Sequence, residues 1–281
     1  MYSNVRKMRF KNLNYIAYME KNIIEHAINQ YLKNNGYTRI ELQTAMFDMD
    51  GVLFDSMKNH AYSWHETMKH FGMFLPYEEA FMHEGRTGAG TINIVSRRDR
   101  GHEATQEEIT EIYAYKSGLF NTQPEAKRMP GAYELLCKVK SSGITPMVVT
   151  GSGQKSLLER LQHNFPQIFN SELMVTAFDV KHGKPSPEPY LMGIDKANRF
   201  FANTHKELLP LNPSSSIIIE NAPLGVQAGV ASGCFTIAVN TGPLPDSALL
   251  NQGANILFHS MQELCDCWDL LYETIKTTKI Q

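Results

Sequence analysis

Cysteine is scarce in this chain. Four residues, Cys137, Cys234, Cys265 and Cys267, are scattered over 281 positions, and the single C-x-C has neither a second pair nor a histidine partner. That excludes a zinc module and leaves reduced thiols as the expected state. Positive charge is not in excess either: 27 Lys and Arg stand against 29 Asp and Glu, for a net charge of −2. Neither nucleic acid nor an anionic membrane is therefore an expected partner. No apolar run approaches the roughly 18 residues of a membrane helix. The basic start (Arg6, Lys7, Arg9, Lys11) runs into Asn12, Asn14, Glu20 and Lys21 instead of an apolar segment, so it does not read as a secretory signal, and the cytoplasm is the expected compartment. There is no internal repeat and no low-complexity segment. What is present is apolar content, 42% of the chain, enough for one substantial core and a smaller satellite domain.

The most informative residues are Asp48-Met49-Asp50-Gly51, at the end of the apolar run Ala45-Met46-Phe47. Two carboxylates one residue apart at the exit of a strand suit phosphoryl transfer. One can attack phosphorus as an ionised, shielded nucleophile, and the other can pass a proton to the leaving oxygen and take one back. A calcium loop fails as an alternative, because the spaced oxygen ligands and terminal Glu of an EF-hand do not follow. Further on, the strand Thr145–Val149 ends in Thr150-Gly151-Ser152-Gly153 ahead of a helical pattern, where small residues let backbone N–H groups and a hydroxyl approach a phosphate. Lys184 stands just before Pro185 and Pro187, on a stiffened turn from which its charge can neutralise phosphate and nucleophile together. Ile217-Ile218-Ile219 ends in Glu220-Asn221, hard oxygen ligands that suit Mg²⁺.

These four motifs, in this order, resemble the haloacid dehalogenase superfamily over roughly residues 44–258. Within it the chain looks closest to the β-phosphoglucomutase-like subgroup, notably Bacteroides-type proteins named as β-phosphoglucomutases or inorganic pyrophosphatases. The resemblance implies Asp48 as nucleophile, Asp50 as general acid and base, Thr150 as phosphate ligand and Lys184 as charge neutraliser. It also implies Mg²⁺ held by Asp48, the Asp50 carbonyl, and Glu220 or Asn221. Many relatives carry two acids in the fourth motif, and here the second is an amide, which can still offer an oxygen.

Apolar segments ending at Asp48, Thr150, Ala177, Glu220 and Val239, separated by helix-length links, predict an α/β fold with a Rossmann-like parallel sheet. All the motifs fall at strand C-terminal ends, where such a sheet collects ligands. Residues 57–129 show helical periodicity (Trp64, Met68, Phe71; Ile109, Ile112, Tyr113) and predict a cap domain inserted into a core of 43–56 and 130–281. Residues 1–42 are an extension, with Ile23, Ile24, Ala27, Ile28, Tyr31 and Leu32 at helical spacing and Asn35-Gly36 as the stop. The stretch 200–213 reads as a long link without an assigned role.

Specificity is expected from the cap. His60 and Lys116 match a histidine and a lysine that relatives use to couple cap closure to the acid/base aspartate. His65 and His70 read as surface residues. Glu84-Gly85-Arg86-Thr87-Gly88 is the expected substrate-facing loop, with Arg86 gripping phosphate, Glu84 tuning the loop, and Gly151 and Ser152 completing the phosphate site. Mutases of the subgroup hold the sugar's second phosphate with an arginine where this chain has Gly88, and carry a lysine where it has Gly153. Hydrolysis of a small phosphate compound, inorganic pyrophosphate first, is thus the leading expectation. Conversion of β-glucose 1-phosphate to glucose 6-phosphate is second, and a non-catalytic phosphate-ligand sensor third. The oligomeric state is left open.

Overall fold

Ile217-Ile218-Ile219 has no polar face, and a strand of that kind must be covered on both sides. The chain's structure, a computed structural model, describes residues 20–152, 155–204 and 210–280, except the side chains of 155–158. The basic residues before 20, Gly153, the Leu157 and Leu158 side chains and positions 205–209 of the expected link lie outside the described residues.

A first helix, α1 (20–35), leads into β1 (Thr44–Phe47). Then come α2 (Met57–His70), a 3₁₀ turn (Glu79–Met82), α3 (Gly88–Arg100), α4 (Gln106–Thr122) and α5 (Ala132–Ser141), before β2 (Thr145–Val149). The order continues through α6 (Lys155–Asn164), β3 (Met174–Val175), α7 (Glu188–Thr204), β4 (Ser216–Glu220) and α8 (Pro223–Ala231). It ends with β5 (Phe235–Val239), α9 (Asp246–Leu250), β6 (Ile256–Phe258) and α10 (Met261–Thr277).

The strands form one parallel sheet in the order β3-β2-β1-β4-β5-β6. From β1 the chain first adds strands on one side and then jumps to β4 on the other. The crevice at the ends of β1 and β4 is therefore the topological switch point, where open α/β sheets bind ligands. Strand alternation divides the core. Ala45, Phe47, Ile217 and Ile219 face one layer with Trp268, Leu136 and Phe165, while Met46 and Ile218 face the other with Tyr190 and Ile194.

Helix α1 joins the first layer through Ile24, Ala27, Ile28, Tyr31 and Leu32, and the Tyr31 hydroxyl donates to the Gly233 carbonyl at 2.8 Å. Ile23, expected in the same stripe, is 57% exposed. Helices α2, α3 and α4 close a separate apolar cluster that includes Met57, Met68, Ile92, Val95 and Ile112. Two details depart from expectation. Strand β3 stops at Val175, because the Asp179 carboxylate accepts from the Thr176 N–H at 2.8 Å and turns the chain before Ala177. Positions 200–204 of the expected link belong instead to α7. Among the described residues no helix is long and apolar enough to cross a membrane.

Candidate active site

Strands β1, β2 and β4 end side by side, so Asp48, Thr150 and Glu220 converge without help from any long loop. Asp48 is buried, its N–H bonded to the Ile219 carbonyl at 3.0 Å. Lys184 reaches in from the turn before α7 with a wholly buried side chain. Its Nζ donates to Asp48 Oδ1 at 2.5 Å, to Glu220 Oε1 at 2.6 Å and to the Val149 carbonyl at 3.1 Å. Burial pushes the Asp48 carboxyl up to about 8 against the pull of Lys184, with Glu220 and Asp50 adding to the rise. Lys184, between two carboxylates, is held firmly as the ammonium despite its burial.

Glu220 is fully committed to protein donors. Oε1 takes Lys184 and the Tyr190 hydroxyl, the latter at 2.7 Å, and Oε2 takes the N–H groups of Asn221 and Ala222 at 3.0 and 3.2 Å. Asn221 differs. Its Nδ2 donates to both oxygens of Glu84 at 3.1 and 3.2 Å, while its buried Oδ1 has no partner. Gly51, at φ 81°, makes room for this amide: a Cβ there would overlap it. An orphaned amide oxygen next to Gly51, at the end of the strand paired with the one that leads to Asp48 and Asp50, is with their oxygens a donor set that fits a hard cation such as Mg²⁺. Among the described residues no group of three or more His, Cys, Asp or Glu is arranged to hold a metal, so an ion here depends on carbonyl and amide oxygens as well as carboxylates.

Asp50 belongs to a different chain of contacts. Its Oδ1 accepts from the Ser56 hydroxyl at 2.6 Å and from His60 Nε2 at 3.1 Å, and His60 Nδ1 accepts from Lys116 Nζ at 2.8 Å. Those two contacts fix the tautomer, with the proton on Nε2. Burial alone would raise Asp50, yet His60, Ser56 and Lys116 hold it below its ordinary value. In this arrangement Asp50 is a proton acceptor, and it must leave these donors before it can act as an acid. His60 is lowered by burial and by Lys116, with Asp50 opposing.

Lys116 is only 2% exposed, packs over the Phe120 and Trp64 rings at 4.9 and 5.2 Å, and is lowered by burial to about 7, against the pull of Asp50. Between that value and its ordinary 10.5 the unfolded chain keeps a proton that the folded chain has released. Stability therefore rises with pH across that window, and the cost of burying the ammonium is fully present below about pH 7. Melting curves of Lys116→Met and wild type should diverge in the variant's favour toward pH 6 and converge toward pH 10. Lost packing would shift the variant equally at every pH, so a flat difference would show that Lys116 titrates near its ordinary value.

The structure brings Asp48, Asp50, His60, Glu84, Arg86, Lys116, Thr150, Gly151 and Ser152 to the wall of one cavity of about 50 Å³. Thr150 Oγ1 accepts from the Ser152 N–H at 2.9 Å. Glu84 is buried and points at Asn221, not outward to a ligand. Its carboxyl is raised well above the ordinary value by burial and by Asp48, Glu220 and Asp50, with Asn221 opposing. Arg86 is half-buried with Nε unpartnered.

His65 is half-buried and donates from Nδ1 to the Leu75 carbonyl at 2.7 Å, contrary to a surface reading, while His70 is exposed and stacks on Tyr115. The sequence reading missed Trp64, His83 and Tyr113 as cavity residues. The two aromatics read as core positions on helical stripes, and His83 was overshadowed by its neighbour Glu84. Tyr113 lies so close to Gly88 that a Cβ at 88 would overlap the ring.

The sequence profile of the haloacid dehalogenase-like hydrolases matches residues 45–239. Hexitol phosphatase A of Escherichia coli is 30% identical over 220 residues, covering 78% of this chain and 91% of that protein. A fructose-1-phosphate phosphatase of the same organism is 26% identical over 198 residues, covering 69% of this chain and 94% of that protein. A Bacteroides vulgatus structure, provisionally named beta-phosphoglucomutase, superposes with a TM-score of 0.85 at 60% identity, covering 92% of this chain and all of the other.

Proposed function

The chain belongs to the haloacid dehalogenase-like hydrolases, and from that premise we propose that it is a Mg²⁺-dependent phosphohydrolase of inorganic pyrophosphate working through an aspartyl phosphate on Asp48. It is an enzyme of the phosphatase or phosphoglucomutase-like type, and the choice of substrate rests on the size of the site. On the scale where one water needs roughly 10–15 Å³, a cavity of about 50 Å³ has room for only a few water-sized groups. Pyrophosphate is smaller than a hexose phosphate and is the easier of the two to admit, though the cavity must widen for either. Tyr113 occupies the space above Gly88 from which a mutase's arginine would reach a second phosphate.

In this reading Asp50 first leaves Ser56 and His60 and takes up a proton from solvent; the Asp48 carboxylate then attacks one phosphorus, the bridging P–O bond breaks, and the departing phosphate takes that proton from Asp50. Water then attacks the aspartyl phosphate, giving its proton to Asp50 and restoring Asp48. Thr150 orients the transferred group. Lys184 offsets its charge and that of the nucleophile. Asp48, the Asp50 carbonyl and the free Asn221 oxygen would hold the Mg²⁺, with Glu220 kept back as a brace by its four donors. When bound, the ion neutralises phosphate oxygens and favours the ionised form of the surrounding acids.

The names of the Escherichia coli relatives favour sugar or hexitol phosphates, and that of the Bacteroides vulgatus protein favours mutase activity, so these are the competing substrates. Phosphate release should be measured with Mg²⁺ from pyrophosphate, a hexitol phosphate and fructose 1-phosphate. Isomerisation of β-glucose 1-phosphate, primed with glucose 1,6-bisphosphate, should be followed on the same preparation. The expected result is a kcat/KM for pyrophosphate at least about tenfold above the others, the step that one lost charge-assisted contact produces. A hexitol phosphate in first place, or efficient isomerisation with little phosphate release, would overturn the pyrophosphate reading.

A further inference from the structure

Asn240-Thr241-Gly242-Pro243-Leu244-Pro245, the loop that leaves β5, carries no charged side chain, yet it touches both the core and the cap beside the site. Its first residues are tied to the core. The Asn240 N–H donates to the Phe258 carbonyl at 2.8 Å, and the Thr241 hydroxyl donates at 2.7 Å to the carbonyl of Gly51, the residue after Asp50. The Asn240 side chain then spans the loop, its Nδ2 donating to the Leu244 carbonyl at 2.9 Å and to Asp246 Oδ1 at 2.6 Å. Pro243 and Pro245 fix two φ angles besides. A loop held at so many points leaves Leu244 little freedom.

Leu244 does not turn back into the core that holds it. Half-buried, it packs against the apolar cluster of α2, α3 and α4, whose other described members all come from 57–113. Tyr77 and Phe81 belong to that cluster, and a Cβ at Gly242 would stand 3.8 Å from the Phe81 ring, an ordinary contact distance. Phe81 lies in the 3₁₀ turn just before the cavity residues Glu84 and Arg86. There the cap is closed down on the core: a Cβ at Gly85 would meet Lys184, and one at Gly151 would meet the Gly85 carbonyl.

We propose that the loop 240–245 is a fixed post against which the cap closes, with Leu244 as the positioning residue that holds the cap in register over Asp48 and Asp50. The inference goes beyond the pyrophosphate reading and does not depend on which phosphate compound is the substrate. With the cap away from the core, Leu244 and the cap side chains facing it return to water, so their burial favours the closed arrangement. The Thr241 bond to Gly51 anchors the post in the turn that carries Asp50. The reacting carboxylates and the cap therefore take their relative position from one rigid segment, and closure excludes water from the reacting centre.

The two tryptophans give a readout that needs no turnover. Trp64 is on the cap at the cavity wall, and Trp268 is wholly buried in the core, so acrylamide quenching of tryptophan emission follows the cap. It should be measured for wild type, Leu244→Met, Leu244→Ala, Leu244→Asp and the control Leu250→Asp, whose side chain is exposed on α9. Removing the half-buried leucine should lower the closed-to-open ratio about 5- to 20-fold, and an aspartate, which closure would have to desolvate, should lower it further. Quenching should rise from wild type and Met through Ala to Asp, at least about twofold in Asp, with the control unchanged. Apparent affinity falls with the closed fraction. KM for the best-hydrolysed compound of the series above should rise in the same order, at least about fivefold in Asp, with kcat within about threefold.

Circular dichroism and melting curves accompany each variant, and Leu244→Ala carries the test if the aspartate variant does not fold. Wild-type quenching in the altered variants would overturn the proposal. A rise in quenching with an unchanged KM would overturn it too, because the contact would then move the cap without bearing on the reaction. A rise matched by Leu250→Asp, or one in Leu244→Ala that comes with loss of cooperative melting, would assign Leu244 to the stability of the fold and equally overturn it. Should no compound of the series be hydrolysed, the pyrophosphate reading fails, and the order of quenching still decides whether Leu244 positions the cap.

Discussion

Asp48→Asn is expected to release phosphate from pyrophosphate more than about 10³-fold more slowly than wild type, the scale on which catalytic nucleophiles contribute. Asparagine keeps the shape of the side chain and an oxygen that can still accept from Lys184, so a folding defect does not account for such a loss. Melting temperature offers an internal control. A carboxyl whose folded value is raised to about 8 costs stability from its ordinary 3.8 upward, and that cost is complete once pH exceeds about 8. Replacing it with a neutral amide should leave the melting temperature at neutral pH equal or higher, the pattern of a site that trades stability for activity. Intact-mass measurement during turnover adds a positive readout, since wild type should carry a phosphoryl adduct that Asp48→Asn lacks. Wild-type-like turnover in the variant would end the aspartyl-phosphate mechanism.

The core of this site was legible because its chemistry sits at strand ends. Asp48, Thr150 and Glu220 each close an apolar run, and a parallel sheet brings such ends together whatever the intervening helices contain. Lys184 was readable for a related reason, the stiff turn that carries it. The three-residue β6 was not, since Ile256–Phe258 is too short to stand out from an apolar turn of helix. Cap residues were read less well, because helical periodicity reports only that a side chain faces inward. Tyr113 faces inward like a core residue, and only the structure places its ring against Gly88 on the cavity wall. The fourth motif had left Glu220 and Asn221 as equal candidates for the metal. In the reading proposed above, hydrogen-bond satisfaction favours Asn221: both oxygens of Glu220 accept from protein donors, whereas the Asn221 oxygen has none.

Lys184→Met is expected to lower stability at neutral pH by about 3–5 kcal/mol, the cost of removing one partner from a buried ion pair, and to lower activity by at least about 10²-fold through loss of charge neutralisation. The size follows from what remains. Asp48 and Glu220 are 3% and 0% exposed, and without Nζ their oxygens face each other with no cation between them. Lys184 restrains the upward shift of Asp48, so its removal lets that carboxyl rise further. The folded variant then keeps on Asp48 a proton that wild type loses above about pH 8, so its deficit against wild type should be nearly constant from about pH 5 to 8 and grow from about pH 8 to 10.

Arginine should not rescue the loss. The ammonium fits as a compact point charge among Asp48, Glu220 and the Val149 carbonyl, with Tyr190 5.2 Å away, and a planar guanidinium has no room in a slot whose side chain is fully buried. Denaturant titrations of Lys184→Met and Lys184→Arg across that pH range decide the point. A deficit independent of pH would mean that Lys184 stabilises the fold by packing alone, and its assignment as the charge that balances nucleophile and phosphate would have to be withdrawn.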